Sequence, residues 1–526
     1  MGDRDLVVKE LVYHRQLIPS VARNATKTAM IDGPYRATFE QHFERVCRLA
    51  NALGSELGVK RDDRVGILAL NSHAFVELYQ ACFMGGGIIN GLNIRLAPKE
   101  LEFILQDSGS KVVLTDAMFA GVIEQIRPNL PDLEKVVLIG EGDAAHDVRY
   151  EDLVAAGSTD IPPETEESDP VILNYTGGTT GLPKGVLIDQ RAGTLHNYRV
   201  FLAIDIDKDE IYLNQTPMFH GASVFSVVGT ATVGGTLASI PAFDPKVVMD
   251  AIETHQVTGT TMVPTMIGMT FSHPDFDPSR FASLRLLAYG ASPMPEALLT
   301  KVMELLPQVE LYQAYGMTEA TAVTTVLTPE DHRRGGTLLR SAGRAVPGVQ
   351  ITIQDPQGKI LPSGEVGEVC MTSGSYLREY WKRPEETAQT FRGGWYHSGD
   401  AGYLDEEGYL FLVDRVKDMI VSGGENIYTS EVENAISKHP AVLQVAVFGI
   451  PSERWGEAVH AVIVLHETAT ATEDEIIAHT RDWIAGYKVP RSVEFRAEPL
   501  PLSGAMKVLK RDLRAPYWEG KERKVN

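Results

Sequence analysis

Cysteine is nearly missing: Cys47, Cys82 and Cys370 are the only three in 526 residues, and no pair stands at a metal-binding or disulfide spacing. That excludes a disulfide scaffold and a sequence-local zinc module, and it fits a reducing cytoplasm. Positive charge is also short. Lys and Arg total 49 against 70 Asp and Glu, a net charge of −21, which argues against a nucleic-acid partner or an anionic membrane surface. An anionic substrate must therefore meet a locally positive site. No segment reads as a membrane span. The uncharged stretch from Asn214 to Phe243 is rich in Gly, Thr, Ser and Ala, its transfer energy is poor, and buried helix and strand are expected there. The first sixteen residues are charged throughout, and position 6 after Gly2 is neither Ser nor Thr, so neither a signal peptide nor myristoylation is expected. Repeats and low-complexity tracts are absent, and the expected location is cytoplasmic.

A chain of 526 residues is too long for one compact core, so two or more domains are expected. Phe39, Phe43, Val46, Leu49, Ala50, Leu53 and Leu57 recur at three- and four-residue spacing and predict an amphipathic helix over 39–58. A strand at Val65–Leu70, a helix at Phe75–Met84 and strands at Lys111–Thr115 and Lys135–Gly140 follow. This alternation predicts an α/β class, with largely parallel sheets covered by helices. From about 345 to 414, short runs at Val349–Gln354, Gly367–Met371 and Tyr409–Val413 predict a β-rich subdomain. Beyond Arg415 the pattern is α+β: helices at Ser430–Lys438 and Glu473–Ala485, strands at Val442–Gly449 and Ala458–Leu465. That is a small second domain of ordinary size.

Residues 175–186 read Tyr-Thr-Gly-Gly-Thr-Thr-Gly-Leu-Pro-Lys-Gly-Val, between the apolar runs Val171-Ile172-Leu173 and Val186-Leu187-Ile188. Glycines let backbone N–H groups approach oxygen closely, Thr176, Thr179 and Thr180 add hydroxyl donors, and Lys184 adds charge. A polyphosphate suits such a strand–loop–strand. The spacing is not that of a Walker A loop, and a solvated hairpin is the bland alternative. Tyr312-Gln-Ala-Tyr-Gly-Met-Thr-Glu319 offers an aromatic face, a hydroxyl and a carboxylate together; as bare sequence it reads as a strand into a helix capped by Thr318. Leu287–Pro295 and Gly394-Trp-Tyr-His-Ser-Gly-Asp400 would each pass for a turn, and in Pro217-Met-Phe-His220 a lone His is more often structural than catalytic.

Together, and in this order, these segments resemble the adenylate-forming superfamily of acyl-CoA synthetases, aryl-CoA ligases, luciferases and peptide-synthetase adenylation domains, over nearly the whole chain. The resemblance implies a large N-terminal AMP-binding domain, 1–416, and a small mobile α+β lid, 417–526, turning about Lys417. It implies that Thr176, Gly177, Gly178, Thr179, Thr180, Gly181 and Lys184 wrap the phosphates of ATP. Gly290, Ala291, Ser292, Gln313, Ala314, Gly316 and Met317 would line the nucleotide, with Tyr315 stacked on adenine. Thr318 would bond the α-phosphate, Glu319 with Thr179 would hold Mg²⁺, and Asp400 and Arg415 would take the ribose and phosphate. Ser422, Gly423 and Gly424 match the loop that meets coenzyme A. His220 would gate the acyl site, whose further candidates are Phe225, Val263, Tyr289, Gly290, Ala291, Ala314 and Ala322. These are apolar or small and include no basic residue, which favours a monocarboxylate with an apolar tail: a medium-chain fatty acid or an aryl acid.

In Pro501-Leu-Ser-Gly-Ala-Met506-Lys507, Lys507 matches the adenylation lysine, which neutralises charge as the carboxylate attacks the α-phosphate. Met506 departs from the family pattern, which has Gly there. If that position needs φ > 0, Met costs about 1–2 kcal/mol, and the expectation is that it slows adenylation more than thioester formation. The reaction implied is carboxylate plus MgATP to an acyl-adenylate and pyrophosphate, then displacement of AMP by the CoA thiol. The alternatives are transfer to a carrier protein or other acceptor, and a nucleotide-binding pseudoenzyme. A homodimer is a family expectation only.

Overall fold

The computed structural model describes residues 10–519, apart from 177–182, 416–417, 423–424, 453 and 505. Two large sheets form the N-terminal part. One has nine strands, in the order 344–345, 325–327, 310–315, 286–290, 259–262, 211–214, 236–239, 28–32 and 35–38. Its central neighbours are parallel, and antiparallel pairs close each end. The other has eight, in the order 379–380, 184–189, 170–176, 88–91, 64–68, 110–116, 135–139 and 148–149. The strand–helix rhythm of the sequence is thus realised as two mainly parallel sheets, whose central strands are buried on both faces.

The helix His73–Phe83 lies between the two sheets, touching Thr28–Asp32 of one and Pro170–Thr176 of the other. Every residue from Ala74 to Phe83 is buried, as expected for a helix packed on all sides. The amphipathic helix expected over 39–58 runs Phe39–Ser55. Thr38 and Gln41 cap it reciprocally, satisfying two backbone donors that the helix start leaves unpaired.

Four antiparallel strands, Gln350–Gln354, Gly367–Thr372, Tyr396–Leu404 and Leu410–Arg415, make the β-rich part. The segment between its second and third strands travels back to the eight-stranded sheet. There Glu379–Tyr380 pairs with Val186–Leu187 and covers that edge. The C-terminal part has its own five-stranded sheet, built from 420–422, 425–427, 442–452, 456–465 and 492–496, over an apolar cluster that includes Ile420, Val447 and Ile463. The helix expected to reach Ala485 stops at Arg481, because the chain turns at Asp482 and brings Ile484 back against that cluster. Among the described residues no helix is long and apolar enough to cross a membrane.

Candidate functional site

Strands Leu286–Gly290 and Glu310–Tyr315 run parallel with Gly290 opposite Ala314. Ala291, Ser292 and the Tyr315–Met317 segment therefore leave the sheet side by side at the carboxyl ends of its strands, where open α/β sheets place ligands. Gln313 and Ala314 are still within the strand. Gly316 has no room for a side chain, since a Cβ would fall 1.4 Å from the Ala322 carbonyl oxygen. Backbone strain gathers here. Among the described residues, non-glycine positive φ occurs at Gln256, Ala291 (67°), Thr321 (54°), Ala322 (81°), Lys382 and Met506 (60°). Ala291, Thr321, Ala322 and Met506 all lie in or beside the candidate segments, and such conformations cost on the order of 1–3 kcal/mol each and cluster where function demands a geometry.

Thr318 does not cap a helix, contrary to the local sequence reading. Residues 318–320 form a single 3₁₀ turn with no side-chain cap, and Thr321 and Ala322, both at positive φ, prevent a helix from propagating. The turn is held from outside: Leu377 N–H donates to the Glu319 carbonyl at 2.7 Å, Thr321 Oγ1 to the Ser375 carbonyl at 2.8 Å, and Tyr380 Oη to Glu319 Oε1 at 3.0 Å. Tyr380 also lies beneath the Lys184 ammonium, 5.6 Å from ring centroid to Nζ. Lys184 opens the strand after the glycine-rich loop, opposite Thr176, and pairs with Glu386. Tyr380 thus links the loop's flank to the Glu319 carboxylate, a role no local motif announced. Gly177, Gly178, Thr179, Thr180 and Gly181 lie outside the described residues.

The Gly221 backbone packs against Thr318, so His220 sits beside that turn. Its Nδ1 accepts from Ala222 N–H at 3.2 Å. Burial, reinforced by the positive charge of Lys507, pushes its pKa down to about 4. His220 is therefore neutral at physiological pH, and Lys507 stands within electrostatic reach although it comes from the far C-terminal segment.

Asp400 is 6% exposed and accepts from Tyr315 Oη at 2.6 Å through Oδ2. The motif at 312–319 and the motif at 394–400 thus meet in one hydrogen bond. A cross-strand group holds the Asp400 turn: Glu368 Oε1 accepts from Gly399 N–H at 3.1 Å, and Glu368 Oε2 lies 2.8 Å from His397 Nδ1 and 2.9 Å from Arg392 Nη2. Cys370 Sγ stands 3.3 Å from the same His397 nitrogen. Glu368, Cys370 and His397 are close enough to share a metal ion, although cysteine spacing gave no hint of it. Their atoms already satisfy one another and Arg392, so the group serves as the footing of Asp400. Arg415 is opposite Asp400 in register; its side chain, Lys417, Gly423 and Gly424 lie outside the described residues. Ser422 ends strand Ile420–Ser422 opposite Gly456.

The acyl candidates divide. Phe225 is buried against Phe201 and Tyr212, with ring centroids 5.4 and 6.3 Å away, and Val263 is buried nearby in sequence to the helix Pro264–Phe271. Tyr289 is fully buried, and its hydroxyl is 2.8 Å from His332 Nε2; the ring acts as core packing behind the strand end. One oxygen-only carboxylate, Glu319, suits a hard cation such as Mg²⁺, whose remaining positions are usually filled by phosphate and water.

The AMP-binding enzyme family model matches residues 19–381, and the AMP-binding enzyme C-terminal domain model matches residues 431–507. A fatty acid–[acyl-carrier-protein] ligase, ScoC, of Streptomyces coeruleorubidus is 36% identical over 99% of this chain and 98% of its own. A feruloyl-CoA synthase of an Amycolatopsis species is 37% identical over 93% of this chain and 96% of its own. Among solved structures, the anthranilate CoA ligase AuaEII in complex with anthranoyl-AMP superposes with a TM-score of 0.90 at 29% identity, covering 98% of this chain and 99% of that one.

Proposed function

We infer the chemistry of each residue from one premise: this chain belongs to the family of AMP-binding enzymes. It is an AMP-forming acid–thiol ligase that joins a carboxylate to coenzyme A through an acyl-adenylate. The observation that best supports the site reading is the 2.6 Å hydrogen bond from Tyr315 Oη to Asp400, which joins two of the motifs, and the lowering of the His220 pKa by burial and by Lys507 is consistent with it. Asp400 takes the ribose hydroxyls, and Tyr315, fixed through its hydroxyl to Asp400, offers its ring to adenine. Lys184 and the preceding loop bind the β- and γ-phosphates, and Thr318 bonds the α-phosphate.

Glu319 with Thr179 would hold Mg²⁺, which supplies charge neutralisation on the phosphates. Lys507 bridges the attacking carboxylate and the α-phosphate, so repulsion between two anions falls as the bond forms. No protein nucleophile is needed; placement and charge do the work. Neutral His220 closes the acyl site without adding a cation beside Lys507. Lys417 is the hinge, Ser422–Gly424 meets CoA, and a medium-chain fatty acid or an aryl acid is the substrate class. The protein acts in the cytoplasm.

Pyrophosphate release with MgATP, over acids from acetate through long-chain fatty acids to benzoates and cinnamates, each with and without CoA, tests this reading. CoA-stimulated release confined to one acid class supports it and names the substrate. Release indifferent to CoA but stimulated by a phosphopantetheine-bearing carrier favours the second reading, to which the similarity with a carrier-protein ligase lends weight. No release with any acid refutes both.

A further inference from the structure

The segment that carries Lys507 is a tight hairpin. Ser503 N–H donates to the Lys507 carbonyl at 2.7 Å, Met506 N–H to the Ser503 carbonyl at 2.9 Å, and Leu502 bridges Val508. Its tip is pressed into the N-terminal part. A Cβ at Gly504 would fall 2.6 Å from the Asn93 side-chain amide, so the hairpin lies close against that side chain. Arg95 donates to the Ser503 carbonyl at 2.9 Å, and Thr265 Oγ1 donates to the Met506 carbonyl at 2.8 Å. The Met506 side chain is 8% exposed. It belongs to the apolar cluster of Val263, Met266 and Ile267 in the N-terminal part, with its sulfur 3.4 Å from the Arg95 guanidinium.

We propose that Met506 is a positioning residue: its side chain anchors the lysine hairpin in the adenylate-forming arrangement, and its withdrawal sets the pace at which the C-terminal part leaves before thioester formation. The proposal rests on the ligase reading above and deepens it. A glycine here would hold the hairpin by backbone contacts alone. Burying a side chain of this size shifts a docking equilibrium by roughly one to two orders of magnitude. The φ of 60° falls in a hairpin closed by its own hydrogen bonds, so on this proposal its strain travels with the hairpin and does not distinguish docked from undocked. On this proposal thioester formation, rather than adenylation, is the slowed step, the reverse of the order expected from the sequence.

The test compares wild type with Met506→Leu, Met506→Ala and Met506→Gly in two single-turnover experiments: pyrophosphate release, and thioester appearance when CoA is added to the enzyme-bound acyl-adenylate. Ala and Gly are expected to speed thioester formation about tenfold or more and to speed adenylation in neither case. Leu, which keeps the burial, should stay within about threefold of wild type. Equal thioester rates in all four proteins, or Leu behaving as Ala, would overturn the proposal. Hydrogen exchange of the ligand-free protein provides a readout independent of catalysis. Peptides covering 91–97 and 262–268 should exchange faster in Met506→Ala and not in Met506→Leu; unchanged exchange would remove the anchor even if the enzyme is a ligase. If wild type turns over no acid while the exchange difference holds, the ligase reading fails and the anchor stands.

Discussion

Asp400→Asn is a near-isosteric change at a buried carboxylate whose partner is 2.6 Å away. An ionised acceptor contributes about 1.5–3 kcal/mol per hydrogen bond, a neutral one about 0.5–1.5. The difference is about 1 kcal/mol or slightly more for each bond that the ribose hydroxyls make to Asp400, so two bonds give roughly 2–3 kcal/mol, while the Tyr315 bond, present without ligand, cancels in the affinity. One amide face also presents N–H where an acceptor is needed. The KM for ATP in pyrophosphate release should rise about 30- to 150-fold, while the weakened Tyr315 bond lowers the melting temperature by no more than about 4 °C. Tyr315→Phe alone should act in the same direction and less strongly. The double variant should show at least about 0.5 kcal/mol of coupling, as residues sharing a bond do. A KM for ATP within threefold of wild type in Asp400→Asn, with protein folded, would refute the ribose role and the link between the two motifs.

Three further outcomes are expected. Lys507→Ala should lower pyrophosphate release about 10²–10³-fold, while thioester formation from supplied acyl-adenylate changes by no more than about tenfold; equal loss in both steps would refute the division of labour. His196, fully buried, and His220, part-buried, have pKa values pushed down by desolvation to about 3 and 4, so they bind their protons less readily folded than unfolded. Their contribution is complete above the unfolded pKa near 6.5 and is lost as pH falls, by about 2 kcal/mol each at pH 5. Urea midpoints at pH 7.5 and 5 should separate accordingly and the gap should shrink in His196→Leu; a flat profile would contradict the burial of these rings. Gly316→Ala should lose activity and about 1–3 kcal/mol of stability, because the Ala322 carbonyl occupies the space; a stable, active variant would show the turn is looser than drawn.

Much of this was legible in the sequence, for physical reasons. The helix at 39–55 declares itself by its apolar period, and the strand after Arg64 by an uninterrupted apolar run. Both signals are local. Tyr380 under Lys184, the Glu368–Cys370–His397 footing and the pairing of Tyr315 with Asp400 were illegible, because cross-strand register and a returning segment create them. Positive φ at Ala291, Thr321 and Ala322 was hidden too, since those residue types carry no mark of it. At Met506 the sequence raised the question of a left-handed backbone, and φ of 60° answers it. Where its side chain goes depended on how two parts of the chain dock.

The two-residue strand Glu379–Tyr380 has a consequence for how the protein is made. It seals the edge strand that carries Val186, Leu187 and Ile188, and an uncovered apolar edge invites pairing with another chain. During synthesis that edge emerges long before its cover, so the nascent chain passes through an interval with a sticky border beside the loop destined for ATP. Fragments ending before residue 378 should accumulate as aggregates or on chaperones, whereas a fragment ending at 414 contains the seal and should stay in solution.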